Sequence, residues 1–241
     1  MKVYGGAPLY GESIGILLLD GGIPRIPGDI GNALTFPFPV RYKVVCNVEF
    51  HNVNDGLTPE QVAKFCEAAQ ELEHEGCRAI TTSCGFLGAY QQEIAASVNI
   101  PVFTSSLMQA RWVSSMLPAG KKVCILASGK GNLTTRLLKG LGIEDLPLYV
   151  LGLDGSPSFA SMHGENLLDP EILRKECLNA VKEVDGRSDI GAIVVECTNL
   201  PPYSADIQEA THLPVFDINT MVHYLYHAVT QMKYLQPKQW L

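Results

Sequence analysis

Residues 79–103 read AITTSCGFLGAYQQEIAASVNIPVF, and residues 192–216 read AIVVECTNLPPYSADIQEATHLPVF. Laid over each other, nine of these 25 positions are identical: Ala79/Ala192, Ile80/Ile193, Cys84/Cys197, Leu87/Leu200, Tyr90/Tyr203, Ile94/Ile207, Pro101/Pro214, Val102/Val215 and Phe103/Phe216. Each copy runs from a short apolar strand through a cysteine into a helical pattern, then to proline and a second strand. Any two strand–helix–strand units share apolar strands and a proline. No fold requires Cys and Tyr at the same offsets, so the pair is read as an internal repeat. Upstream of each copy stands a matching helix start, Thr58-Pro59-Glu60 and Asp169-Pro170-Glu171. Each offers a capping side chain, proline at the first helical position and an acid in the first turn.

Outward from the repeat, apolar runs at 14–19, 44–50, 79–82, 102–104, 123–127, 149–153, 192–195 and 215–218 alternate with helical periodicity at 60–75, 87–97, 107–117, 133–141, 171–184, 203–210 and 220–232. Short buried strands separated by helices imply βαβ units and a parallel sheet. The expected fold is α/β, with two similar lobes of parallel sheet flanked by helices, related by a pseudo-twofold axis around a shared cleft. The expected lobes are 1–105 and 106–219, joined near 105–107, with a C-terminal helix within 220–241 packing back on the first.

Composition limits the partners. The 241 residues carry 18 basic and 25 acidic side chains, a net charge of −7, with 46% apolar and 18% charged residues. That is a globular composition. Its acidic balance argues against nucleic acid, which needs a basic face. The longest aliphatic stretch, 16–19, is far too short to span a membrane, and MKVYGGAPLYGES lacks the apolar middle of a signal peptide. Seven cysteines, an odd number, suit free thiols in a reducing cytoplasm better than a disulfide framework.

Cys84 and Cys197 each follow an apolar strand and precede a helix, and strand carboxyl ends form the ligand crevice of open parallel sheets. A thiol near a helix N-terminus sits in partial positive potential, which favours its thiolate. If the two lobes face each other, the two sulfurs flank one small ligand. One thiolate removes a carbon-bound proton, the other thiol delivers a proton to the opposite face, and the carbon inverts. Cys46, Cys66, Cys77, Cys124 and Cys177 are read as core packing.

A first strand ending in Asp20, Thr82-Ser83-Cys84 in one lobe and Glu196-Cys197-Thr198-Asn199 in the other resemble the aspartate/glutamate/hydantoin racemase superfamily over nearly the whole chain. Its members work without pyridoxal phosphate. The resemblance implies that Cys84 and Cys197 are the acid/base pair, Thr198 a substrate-binding neighbour and Asp20 an acid near the catalytic thiol. It also implies no cofactor and a homo-oligomer, a dimer being common. Glutamate racemases usually carry Cys-Asn-Thr at the first cysteine, where this chain has Cys84-Gly85-Phe86. At the second they carry Cys-Thr-His, where this chain has Asn199. Both departures speak against free glutamate.

Removing a proton beside a carboxylate builds negative charge on that carboxylate, so donors must face it. Thr82, Ser83 and the N–H groups of Gly85 and Phe86 are candidates on one side, Thr198 and Asn199 on the other. Ser128, opening Ser128-Gly129-Lys130-Gly131-Asn132, is a third; the segment lacks P-loop spacing. The Gly- and Pro-rich loop 21–32 is read as a cover over the cleft, with Arg25 solvated, and Phe36-Pro37-Phe38-Pro39 as a packed extended segment. His223 and His227 stand four apart on a helix, but HExxH needs Glu where Tyr224 stands, so no metal is assigned.

The expected function is a cofactor-independent racemase or epimerase of a small carboxylate-bearing compound, an amino acid such as aspartate or glutamate or a hydantoin-like derivative. Alternatives are an arylmalonate-type decarboxylase, a maleate-type cis–trans isomerase, and a non-catalytic small-acid binding protein. The cysteine pair speaks against decarboxylation and suits isomerisation. The expected partner is a small-molecule carboxylate, with no nucleic acid and no membrane.

Overall fold

The computed structural model describes residues 6 and 9–234. Most of the stretch read for a signal peptide, and residues 235–241 of the expected last helix, lie outside the described residues. The first sheet contains β1 (Ile14–Leu19), β2 (Val40–Val45), β3 (Ala79–Thr82) and β4 (Val102–Phe103) in the order β2-β1-β3-β4. The second contains β5 (Lys122–Ala127), β6 (Leu148–Gly152), β7 (Ile190–Val195) and β8 (Val215–Phe216) in the order β6-β5-β7-β8. Every pairing is parallel. The two orders are the same, so the repeat read in the sequence is a repeat of the frame. The central strands β1, β3, β5 and β7 are largely buried, as strands covered on both faces must be.

The helices are α1 (Phe50–Asp55), α2 (Pro59–His74), α3 (Gln91–Ala96), α4 (Gln109–Met116), α5 (Thr135–Gly140), α6 (Pro157–Gly164), α7 (Pro170–Val181), α8 (Ser204–Thr211) and α9 (Ile218–Val229). At the start of α2, Gln61 N–H donates to Thr58 Oγ1 at 3.3 Å and Thr58 N–H to Gln61 Oε1 at 3.0 Å. Asp169 caps α7 by accepting from the N–H groups of Glu171 and Ile172 at 3.0 and 3.1 Å. Both proline-bearing starts therefore satisfy otherwise orphaned donors.

Three elements differ from the sequence reading. The second strand is 40–45, not 44–50, because Asn47 turns the chain in the left-handed region at φ 60° and gives its N–H to Asp20 Oδ2 at 2.8 Å. Residue 50, read as the end of that strand, instead opens α1, which 51–55 complete. Helix α6 was not anticipated, although Ser156-Pro157 carries the same cap-plus-proline signature, Ser156 Oγ accepting from Phe159 N–H at 3.0 Å.

One apolar core runs through both lobes, joining Leu17, Ile80 and Val102 to Val123, Ile125 and Val194. At this junction Gly140 lies so close to the turn after Cys84 that a Cβ on it would stand 2.8 Å from the Gly88 carbonyl. Ser106 Oγ donates to Val195 O at 2.6 Å and Gln109 Nε2 to Asp217 O at 2.8 Å. Helix α9 returns to the first sheet, burying Ile218, Met221, Val222 and Leu225 beside Ile14, Ile16 and Ala79.

All seven cysteines are free. Cys77, Cys124 and Cys177 are core residues, whereas Cys46 is exposed beyond β2 and Cys66 half-buried, which corrects the expectation that all five pack inside. Among the described residues no helix is long and apolar enough to cross a membrane.

Candidate active site

A cleft of about 470 Å³ opens between the lobes at the carboxyl ends of β1, β3, β5 and β7. Its walls hold Asp20, Ser83, Cys84, Gly85 and Phe86 from the first lobe, and Ser128, Glu196, Cys197, Thr198 and Asn199 from the second. One short concave site thus gathers both cysteines and all but one of the residues proposed from the sequence to hold substrate.

The exception is Thr82. It is fully buried behind Cys84, donating its hydroxyl to Thr104 O at 2.7 Å and Cys84 O at 3.1 Å. It fixes the backbone of the Cys84 turn and presents nothing to the cleft. Thr198 is similar in kind: its hydroxyl donates to Ser83 O at 2.6 Å, tying the two cysteine turns together. Ser83 Oγ accepts from Leu19 N–H at 3.1 Å, and Ser128 Oγ accepts from Asn132 Nδ2 at 3.2 Å. Asn199 is taken up by its own lobe and the loop after β1. Cys197 Sγ donates to Asn199 Oδ1 at 3.7 Å, and Asn199 Nδ2 donates to Asp29 Oδ2 at 2.6 Å. In place of an imidazole that could exchange a proton, an amide orients the thiol.

Loop 21–32 lines the cleft through Gly21, Gly22, Ile23 and Arg25. Asp29 is 2% exposed and also accepts from Arg25 Nη1 and Gly31 N–H, each at 2.7 Å. Arg25, expected to be solvated, is therefore paired inward with Asp29 and lines the cleft. Phe36 and Phe38 lie elsewhere, Phe38 stacked on Tyr226 at 3.6 Å and edge-on to His223 at 5.3 Å. That packing on α9 accounts for His223 as a core-facing ring.

The electrostatics depart from expectation. Burial foremost, and then the Glu196 carboxylate, push the Cys84 thiol up to about 12, opposed by the N–H groups of Phe86 and Leu87 and by Arg25. Burial and Glu196 also raise Cys197 well above the ordinary thiol range; Asn199 N–H opposes, while Cys84 and Asp29 add to the rise. The predicted thiolate-favouring helix termini are short 3₁₀ turns, Gly85–Tyr90 and Pro201–Tyr203, and desolvation outweighs them. Cys84 keeps the more helpful surroundings, with two N–H groups and a guanidinium against one N–H for Cys197.

Four contributors were missed in the sequence. Glu196, beside Cys197, was quoted only as part of a motif, although its carboxyl reaches the space that Gly85 leaves: a Cβ at Gly85 would stand 2.2 Å from Glu196 Oε1. Asp29 was hidden in a loop. Phe50 and His163 arrive on α1 and α6, the two helices not anticipated. The His163 ring packs at 4.5 Å from Phe50 and 4.7 Å from Phe159, and burial lowers it to about 4, so the imidazole is neutral near pH 7. Among the described residues, neither of its ring nitrogens has a hydrogen-bond partner. Among the described residues no group of three His, Cys, Asp or Glu side chains has metal-binding geometry.

The Asp/Glu/hydantoin racemase family matches this chain over residues 60–223. The chain belongs to that family. The chain is 32% identical over 219 residues to dimethylsulfoniopropionate lyase 7 of Emiliania huxleyi, a match covering 86% of this chain and 64% of that protein. It is also 32% identical over 213 residues to a dimethylsulfoniopropionate lyase of Durusdinium sp. clade D, covering 85% of this chain and 71% of the relative. The chain thus spans just under two thirds of the first of these relatives. Among solved structures, a mutant of arylmalonate decarboxylase superposes with a TM-score of 0.60 at 15% identity, covering 93% of this chain and 96% of that one. The aspartate racemase of Picrophilus torridus gives 0.57 at 13% identity, covering 92% and 96%. At these identities the structural likeness concerns the two-lobed fold of the racemase family.

Proposed function

We propose that this chain is a cofactor-independent enzyme that takes the proton from the carbon next to a carboxylate, with Cys84 as the base. The observation that carries the proposal is the placement of Cys84 and Cys197 at the ends of equivalent strands in one cleft. Arg25, with Asp29 behind it, and the N–H groups of the cysteine turns are the donors for the substrate carboxylate. Cys84 acts from its thiolate form: the Cα–H bond breaks, the proton goes to sulfur, and the electron pair moves toward the carboxylate.

Two fates of that pair follow, and elimination is our first reading. The pair forms a Cα=Cβ bond, the bond from Cβ to its leaving group breaks, and a small sulfonium-bearing propionate yields dimethyl sulfide and acrylate. Sequence likeness to the named lyases over 86% of the chain favours this fate. So does the cluster of Phe50, Phe86 and the neutral His163 that lines the cleft, aromatic rings of the kind that attract an onium group. The second reading is inversion, as expected from the sequence, and the duplicated thiol favours it, since Cys197 can return a proton to the opposite face. Proton NMR in D₂O separates the two. Dimethylsulfoniopropionate giving acrylate supports elimination, whereas deuterium entering Cα of one pure amino-acid enantiomer as rotation is lost supports inversion. Neither outcome with a panel of both substrate kinds defeats the proposal.

A further inference from the structure

Glu196 is a buried carboxyl without a counter-ion among the described residues. It is 1% exposed, its Oε2 receives the Ser128 N–H at 3.5 Å, and Oε1 fills the space beside Gly85. The Arg25 guanidinium, the cation lining the same cleft, is paired with Asp29 instead. The position is a built one. Ser83, the repeat equivalent of Glu196, accepts Leu19 N–H from the end of β1, just as Glu196 accepts Ser128 N–H from the end of β5. The second lobe has replaced a hydroxyl with a carboxyl, and the first lobe has a glycine where that carboxyl must fit.

We infer that Glu196 stands in the cleft as a neutral carboxylic acid whose O–H hydrogen-bonds the substrate carboxylate while the neighbouring carbon loses its proton. This rests on the carbon-acid reading above and adds to it the group that makes the step feasible. Proton removal puts a second negative charge on a carboxylate that already bears one. An ionised Glu196 facing that charge repels it, whereas a neutral acid donates to it in a water-poor cleft. The same neutrality spares the two thiols, because it is the charged form of Glu196 that opposes ionisation of Cys84 and Cys197. Burial pushes the Glu196 carboxyl up to about 8, opposed by the Ser128 N–H, in agreement with that state.

The titratable groups sharing the cleft are Cys84 beyond β3, Cys197 beyond β7, Asp20 and Arg25 beyond β1, Glu49 before α1 and His163 of α6. Strand β5 brings Ser128, which does not titrate. Burial holds His163 neutral and keeps the thiol forms of both cysteines in large excess from pH 7 to 9, the Cys84 thiolate being the minor reactive form, so Glu196 is the group expected to change there.

The test is calorimetric titration of the full chain with propionate, a substrate-like carboxylate that cannot react. Affinity of the unmodified protein is expected to fall about tenfold between pH 7 and pH 9, as one proton leaves the site. Glu196→Gln, neutral and able to donate, is expected to bind within about threefold of the unmodified protein at pH 7 and to lose the alkaline fall. Equal alkaline falls in both proteins, a flat profile in the unmodified one, absence of propionate binding at pH 7, or weak binding by folded E196Q at pH 7 each overturn the inference. If E196Q does not fold, infrared titration of the unmodified protein decides: a buried carboxylic-acid carbonyl band present at pH 7 and lost by pH 9 supports it, and its absence at pH 7 overturns it. Failure of the carbon-acid reading looks different, as pH-dependent propionate binding without elimination or Cα exchange.

Discussion

At the scale of single residues, the two cysteines are equivalent in sequence and unequal in surroundings. Both thiols feel Glu196, but Cys84 has the N–H groups of Phe86 and Leu87 and the Arg25 charge in its favour, while Cys197 has the Asn199 N–H alone and is raised further by Asp29. Under the proposed function, the inequality favours Cys84 as base and Cys197 as the protonated partner. Cys84→Ser is therefore expected to lower turnover by about 10²–10⁴ in elimination, the range for removing a general base. Cys197→Ser is expected to cost far less in elimination, because dimethyl sulfide leaves without needing a proton, yet to abolish inversion. Steady-state kinetics on both variants, with acrylate release and Cα exchange followed separately, check the assignment. Equal losses in elimination would falsify the division of roles.

At the scale of elements, the loop after β1 matters most. Asp29 holds Arg25, Gly31 and Asn199 at once, so one carboxylate links a wall of the cleft to the second cysteine turn. Asp29→Ala leaves a partly exposed guanidinium and a buried amide unpaired. Because Arg25 still reaches solvent, a loss of about 2–3 kcal/mol in denaturant unfolding is expected, below the full cost of breaking a buried ion pair. Affinity for carboxylates is expected to weaken as the loop loosens. A loss under about 0.5 kcal/mol in urea unfolding shows that the loop is held by other contacts. The loop's length and composition marked it in the sequence, but its tie to the second cysteine turn depended on one buried carboxylate 170 residues from its partner. Helices α1 and α6 escaped notice for another reason. They are short, with one face packed on neighbouring rings rather than a long apolar stripe, so periodicity is weak over their length. The aromatic cluster lining the cleft went unread with them.

At the scale of the whole molecule, the cleft exists because two parallel sheets are fixed against each other. Gly140 permits the close approach of α5 to the turn that carries Cys84, and Thr198 Oγ1 donates to Ser83 O across the lobes. Gly140→Val forces α5 away from Gly88, since its Cβ alone would stand 2.8 Å from that carbonyl. Destabilisation of about 1–3 kcal/mol is expected from thermal or urea unfolding, with a fall in activity through displacement of Cys84. Unchanged stability and activity show that the junction tolerates more separation than its packing implies.

The sequence by itself determined the duplicated α/β frame, the pairing of Cys84 with Cys197 and the strand-end position of both. Those features follow from local periodicity, from helix caps and from identities at a constant offset of 113 residues, all of which a linear chain displays. Only the tertiary structure decided that Thr82 supports rather than binds, that Arg25 turns inward, that burial outweighs the helix termini at both thiols, and that Glu196 fits against Gly85. Each of these depends on distances between groups far apart along the chain and on how much water is left between them. Desolvation and hydrogen-bond partnership are properties of the packed site, and they set the charge state on which the chemistry turns.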